Sequence, residues 1–297
     1  MIVITAPTGN IGTRLVQHLL DAGAPLRLIA RDPARLAPGV ADRVEIVRGS
    51  HADPSVITEA FAGADTVFWL VPADPQAASL DEAYSGFARP ALEAFAAHKV
   101  ARVVGISALG RGTPFADRAG HVTATLAMDD RIAATGVAYR ALCMPSFMDN
   151  TAEQAAAIAS QGVFYGATLP DAPAPAVATR DIAEVAARLL LDDTWTGVEE
   201  VPVLGPEDLT CNEMAAIMSE VLGRTVRFQQ IPPEAFKSQM QSVGLSEPMA
   251  QGMMDMVVAK NNGLDNGVTR TPQWTTPTTF GQWCTEVLKP AVEAQQP

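Results

Sequence analysis

Apolar and polar positions alternate between two rhythms over the first half of the chain. Short β-rich runs at residues 2–5, 26–30, 44–47, 66–71, 102–107 and 138–142 have the length of strands, and several are continuous apolar runs, as in parallel strands covered on both faces. Between them the period becomes helical. Leu15, Val16, Leu19 and Leu20 share a face after Gly12, and helical spacing recurs over residues 54–62, 78–99 and 123–134. Gly23, Gly63 and Gly136 stand where helix C-caps fall. Strand, helix, strand, repeated, predicts an α/β fold with a doubly wound parallel sheet.

The rhythm changes after Asn150. Residues 169–181, LPDAPAPAVATRD, read as an extended crossing, and a helix follows Thr179. A strand is expected at 201–204. Thr210 and Glu213 form a capping-box pattern that opens a helix ending at Gly223. A strand at 226–231, helices from Pro233 and over 246–260, and a closing helix over 278–288 complete the pattern. The expected division is a first domain over 1–150 and a smaller α/β lobe over 151–297, with chain near 175–205 returning to the first domain. No internal repeat is visible.

Composition narrows the function classes. Hydrophobic residues make up 48% of the 297, which suits a packed globular protein. The formal net charge of −12 repels nucleic acid and anionic membranes, so neither is an expected partner. No apolar run approaches the roughly 18 residues of a membrane span, and no basic segment precedes the first apolar stretch as in a signal peptide. Cys143, Cys211 and Cys284 are scattered, and His18, His51, His98 and His121 lack ligand spacing, so no metal site is expected. These features together suggest a reduced, cytoplasmic protein.

The turn after the first strand carries the first chemical signal. Ala6-Pro7-Thr8-Gly9-Asn10-Ile11-Gly12 has glycines at the second and third positions of a Gly-x-x-Gly-x-x-Gly pattern, with Ala6 at the first. In a dinucleotide site such a turn rests a pyrophosphate on the first helix's N-terminus. Ala6 is tolerable there if its φ is negative, and Pro7 removes one N–H donor. A plain strand-to-helix turn is the alternative, but the strand before it and the helix after it favour nucleotide binding. Arg31, at the second strand's tip, is placed to favour a 2′-phosphate, with Arg35 as a second cation. If Asp32 rather than Arg31 faces the ribose, NADH becomes possible as the cofactor.

These blocks resemble the NmrA-like family, atypical short-chain dehydrogenase/reductases, over nearly the whole chain. The matching stretches include TAPTGNIG, ARDPARL, GISALG, AATGVAYRALCMPSFMDN and TRDIAEVAARLL. Quinone and triphenylmethane-dye reductases are the members most similar in pattern. The resemblance implies a Rossmann-like fold and NADPH, with NADH as the second option. It implies that Thr8, Gly9, Asn10 and Ile11 hold the pyrophosphate and that Arg31 meets the 2′-phosphate. Leu70, Val71, Pro72, Ser107, Pro145 and Phe147 would flank the ribose and nicotinamide. Two departures stand out. Gly49-Ser50-His51 lacks the acid that contacts adenine in the family, and Thr125 and Asp129 occupy positions where many relatives carry a His or Lys and an acid.

The Tyr-x-x-x-Lys pair of ordinary short-chain dehydrogenases is absent: four residues after Tyr84, Tyr139 and Tyr165 stand Ala88, Cys143 and Leu169. Hydride transfer to a quinone or cationic dye does not require it, since orientation and exclusion of water are the protein's main tasks. Ser107 and His121 are the catalytic candidates, Ser107 as a hydrogen-bond partner of a carbonyl and His121 as a proton donor. Met249, Met253 and Met256 fall on one helical face, either as core or as an adaptable apolar wall. The expected function is hydride transfer to an electron-poor aromatic or carbonyl small molecule. A non-catalytic NAD(P)-sensing regulator and an epimerase-like enzyme with no net redox change are the alternatives. A homodimer is the default assembly.

Overall fold

The computed structural model describes residues 1–295. Its strands in chain order are β1 Ile2–Ile4, β2 Leu26–Ala30, β3 Glu45–Arg48, β4 Thr66–Trp69, β5 Arg102–Ala108, β6 Ala138–Met144, β7 Ser146–Phe147, β8 Val163–Gly166, β9 Ala174–Val177, β10 Val198–Pro202, β11 Asp208–Leu209 and β12 Arg227–Gln230. The main helices are α1 Asn10–Asp21, α2 Pro54–Phe61, α3 Phe87–Ala97, α4 His121–Ala134, α5 Ala155–Gln161, α6 Thr179–Leu191, α7 Cys211–Leu222, α8 Pro233–Ser242 and α9 Glu247–Asn261.

The chain forms two compact units. One comprises Met1–Ala108, Ala124–Cys143 and Ile182–Val201; the other comprises Leu109–Thr123, Met144–Asp181 and the chain from Pro202 on. The first unit holds a seven-stranded sheet in the order β10-β6-β5-β4-β1-β2-β3. The pairs β3–β2, β2–β1, β1–β4 and β4–β5 are parallel. This is the doubly wound, Rossmann-like order, whose chain reversal beside β1 opens a crevice at the strands' carboxyl ends. The core explains the unbroken apolar strands: Val67, Phe68 and Trp69 of β4 have no exposed surface, and Phe61 stacks on Phe95.

The second unit is built from a three-stranded sheet, β11-β9-β7, and a pair, β12–β8. Its core gathers Ile158, Met218, Phe280, Trp283 and Leu288, with Phe280 stacked on Trp283. The capping box forms as read: Thr210 accepts from the Glu213 N–H, and the Glu213 carboxylate accepts from the Thr210 N–H.

Several elements depart from the apolar pattern. The strand expected at 201–204 lies at Val198–Pro202, an edge of the large sheet where Val198, Glu199 and Glu200 are exposed. An edge strand needs no apolar face, so hydrophobicity misplaces it. Leu204 instead forms an isolated bridge with Thr275. The extended crossing over 169–181 contains β9, and β7 and β8, two and four residues long, carry too little periodicity to be seen. The stretch over 78–99 is interrupted by a widened helical turn at Glu82–Gly86, and the closing helix by another at Cys284–Leu288. Such π-type turns bond i to i+5 within an otherwise α-helical run.

Candidate functional site

The turn between β1 and α1 is strained at its first position. Ala6 has φ +49°, so the negative φ that would make alanine a comfortable substitute for glycine is not what the chain adopts. Gly12 is required on packing grounds: a Cβ there would lie 2.1 Å from the Ala6 carbonyl oxygen and 2.9 Å from Pro7 Cα. A Cβ on Gly9 would meet only the Ala6 oxygen, at an ordinary 3.6 Å. No contact within the protein explains Gly9, which leaves bare backbone at the helix start. Gly9 is also the N-cap of α1 and supplies no side-chain acceptor, while Thr13 N–H makes the first turn's bond to the Gly9 carbonyl. The amides of Asn10, Ile11 and Gly12 therefore precede the first intrahelical bond and form the positive end of the helix dipole. This geometry suits an anionic pyrophosphate.

A cavity of about 240 Å³ opens beside this turn. Thr8, Gly9, Arg31, Pro72 and His51 are among its lining residues, together with Asp32 and Arg35. Thus the expected cofactor-binding residues Thr8, Gly9, Arg31 and Pro72 share one cavity in the first unit. Asn10 is exposed at the start of α1, whereas Ile11 is buried in the core and offers only its backbone N–H. Arg31 and Asp32 both line this cavity. Asp32 caps the short turn Pro33–Arg35, its carboxylate accepting from the Ala34 N–H at 3.1 Å. Among the described residues neither Arg31 nor Arg35 has an ion-pair partner, so two cations line the cavity of an otherwise acidic chain. They fit a phosphate on the adenosine ribose.

His51 stands where the family pattern has an acid, and it behaves as a wall. Its ring is buried edge-on against Trp69 and Phe87, with Nε2 2.9 Å from the Leu70 carbonyl oxygen. Burial, which outweighs that hydrogen bond and is reinforced by the nearby Arg31 charge, lowers its pKa to about 4. The imidazole is neutral at physiological pH and bonds the β4 tip where Leu70 and Val71 lie. Thr5 pins the same tip, accepting from the Leu70 N–H at 2.8 Å. Nothing in the sequence except the missing acid pointed to His51.

Ser107 lies near the end of β5, buried, and donates its hydroxyl proton to Asp129. Tyr139 of β6 donates to the same carboxylate at 2.5 Å. The side chain of Tyr84, in the widened turn before α3, is hydrogen-bonded with Thr125, and burial raises its pKa to about 12. The hydroxyls of Tyr84 and Tyr139 thus engage Thr125 and Asp129, one helical turn apart on α4. The sequence marks Thr125 as a departure from the family's His or Lys and Asp129 as its acid, and gives no sign of either tyrosine as their partner.

The remaining expected residues belong to the second unit. His121 begins α4, buried, with Nε2 3.0 Å from the Met249 carbonyl oxygen, and burial lowers its pKa. Gly120 before it has φ +54°, and a Cβ there would lie 2.0 Å from the Gly252 carbonyl oxygen. The segment is therefore pressed against α9, where Met249 is core. Pro145 is buried, and Phe147 is half-buried at a cavity of about 210 Å³ that it lines with Phe164, Tyr165, Met214 and Phe228. No group of three His, Cys, Asp or Glu side chains among the described residues could hold a metal. No described helix is long and apolar enough to cross a membrane.

A Rossmann-like sheet with a bare helix N-terminus and a cationic pocket beside it defines a nucleotide-binding protein, and comparison with known proteins agrees. A model described as NAD(P)H-binding matches residues 7–193, and the NmrA-like family model matches residues 130–283. The chain belongs to the NmrA-like family of NAD(P)H-binding proteins. It is 32% identical over 279 residues to a (4-alkanoyl-5-oxo-2,5-dihydrofuran-3-yl)methyl phosphate reductase of Streptomyces griseus, covering 92% of each chain. It is 29% identical to an NAD(P)H azoreductase of Xenophilus azovorans, covering 86% of each. The crystal structure of an NADPH-dependent quinone oxidoreductase from Escherichia coli shares the fold, with a TM-score of 0.75 at 22% identity, covering 95% of this chain and 98% of that one.

Proposed function

We propose that this NAD(P)H-dependent reductase uses NADPH in preference to NADH and passes hydride to a conjugated, electron-poor small molecule, a quinone being the first case to test. The observation that carries the cofactor preference is the pocket beside α1, where Arg31 and Arg35 stand unpaired while Asp32 is held by Ala34. Thr8, Gly9 and the amides of Asn10, Ile11 and Gly12 would hold the pyrophosphate. Leu70, Val71 and Pro72 would flank the ribose, and Ser107 the nicotinamide. The bound cofactor supplies the hydride.

The substrate class is inferred from the state of the candidate proton donors among the described residues. A plain ketone needs a proton donor at its oxygen as hydride arrives. Here Tyr84 has a pKa near 12, and His121 is held neutral and bonded to a backbone carbonyl. A quinone, an azo group or an acyl-substituted unsaturated lactone spreads the incoming charge over its own conjugated system. Such acceptors need orientation more than acid catalysis. The named activities of the azoreductase, quinone oxidoreductase and dihydrofuranyl phosphate reductase relatives fit that class. The three cysteines are free thiols, which suits the cytoplasm.

The test is an acceptor panel: naphthoquinone, an azo dye, an acyl butenolide and cyclohexanone, each with NADPH and with NADH, followed by loss of reduced nicotinamide absorbance. Turnover of the conjugated acceptors, with NADPH favoured and cyclohexanone inert, is expected. Binding of NADPH with no turnover of any acceptor would sink the reductase reading in favour of a sensor.

A further inference from the structure

Three buried polar side chains of the first unit are bonded to one another. β5 and β6 are neighbours in the sheet, and each sends a hydroxyl to the Asp129 carboxylate on α4. Ser107 donates to Oδ2, and Tyr139 donates to Oδ1 at 2.5 Å. Asp129 is 3% exposed, Ser107 5% and Tyr139 1%. The backbone is prepared for this arrangement. A Cβ on Gly105 would lie 2.4 Å from the Tyr139 hydroxyl oxygen and 2.7 Å from its ring, so glycine at that position admits the phenol.

The chemistry sets the direction of these bonds. A buried carboxylate needs donors, and each of its oxygens receives one here. A serine hydroxyl carries a single proton. In Ser107 that proton is committed to Asp129, so a ligand group reaching Ser107 must donate to it. The polarity is opposite to that of a serine that activates a substrate carbonyl.

We infer that Asp129 is a positioning residue that fixes Ser107 as a hydrogen-bond acceptor for the amide N–H of the cofactor's carboxamide. The inference rests on the reading that Ser107 borders the nicotinamide. The carboxamide N–H is the one strong donor on that ring, and Ser107 presents the matching lone pair. Tyr139 supports the carboxylate from its other oxygen but does not set the serine's direction. Ser107 then orients the cofactor and leaves the substrate's oxygen unassisted, as acceptors that need no proton donor permit.

The experiment compares binding of oxidised NADP with that of its 3-acetylpyridine analogue, which replaces the amide nitrogen by a methyl group and keeps the carbonyl. Each ratio of dissociation constants is measured by calorimetry on one folded variant, so losses of stability cancel. The wild type is expected to bind the analogue about three- to tenfold more weakly, the range of one neutral hydrogen bond. Ser107→Ala should bring the ratio close to one. Asp129→Asn should do the same, because its amide donates to Ser107 and turns the serine proton outward. Tyr139→Phe should keep the wild-type ratio. Ser107→Cys, near in size but a weak acceptor, should behave like Ser107→Ala and keeps the test open if Asp129→Asn does not fold. A wild-type ratio of one, or discrimination retained in Asp129→Asn, overturns the inference. Discrimination in the wild type that survives in Ser107→Ala overturns the reading that Ser107 borders the nicotinamide, and the inference with it.

Discussion

A side chain on Gly12 would collide with the Ala6 carbonyl oxygen at 2.1 Å, so these two residues set the shape of the turn that opens α1. Gly12→Ala must move backbone, since no flexible side chain is there to yield. The expected result is a loss of about 1–3 kcal/mol of stability, the usual cost of overpacking, with NADPH affinity reduced at least tenfold. Ala6→Gly acts in the opposite sense. It removes the left-handed strain of a φ of +49° and should stabilise the protein by about 1 kcal/mol while keeping cofactor affinity. Thermal melts and cofactor titrations on the two variants check both statements.

Arg31→Ala should weaken NADPH binding roughly ten- to a hundredfold, the scale of a charge-assisted hydrogen bond. NADH binding should change little. Arg35→Ala should show the same selectivity with a smaller loss. Equal losses for the two cofactors would mean that Arg31 supports the fold and does not read the 2′-phosphate.

His51 gives the fold a pH dependence of defined sign. Its pKa is depressed to about 4 in the folded protein against 6.5 in an exposed chain. Above pH 6.5 both states are neutral and the full stability is present. As pH falls from 6.5 to 4 the unfolded chain takes up a proton that the folded protein refuses, and stability is lost. The loss approaches roughly 3 kcal/mol at the acid end. The buried His121 shifts in the same direction and adds to it. His51→Gln keeps a donor for the Leu70 carbonyl and should flatten the slope, measured as chemical denaturation midpoints between pH 4.5 and 7.5.

His121→Gln should leave kcat within about threefold of wild type and should not remove an ionisation near 6.5 from the rate profile. The reason is that the imidazole is buried, neutral and bonded to the Met249 carbonyl. A large fall in kcat at unchanged KM would restore His121 as a proton donor.

The parallel core strands were legible because β4 and its neighbours are apolar on both faces, and α7 because Thr210 and Glu213 announce its start. The turn at Gly9 and Gly12 was legible as a spacing. Its strain at Ala6 was not, since a φ angle leaves no mark on composition. The pairing of Asp129 with Ser107 and Tyr139 was hidden because it joins two strands and a helix distant along the chain. His51 could be noticed only as the absence of an expected acid. That it walls the cavity depends on Trp69 and Phe87, which lie 18 and 36 residues further on.

The measurement that bears most directly on hydride transfer is an anaerobic single turnover: enzyme loaded with one equivalent of NADPH, mixed rapidly with naphthoquinone, and followed by the loss of reduced nicotinamide absorbance. Quinone-dependent, enzyme-dependent loss of the full equivalent is expected, at least tenfold faster than with NADH at the same subsaturating concentration. Persistence of enzyme-bound NADPH in the presence of naphthoquinone and every other conjugated acceptor would contradict it.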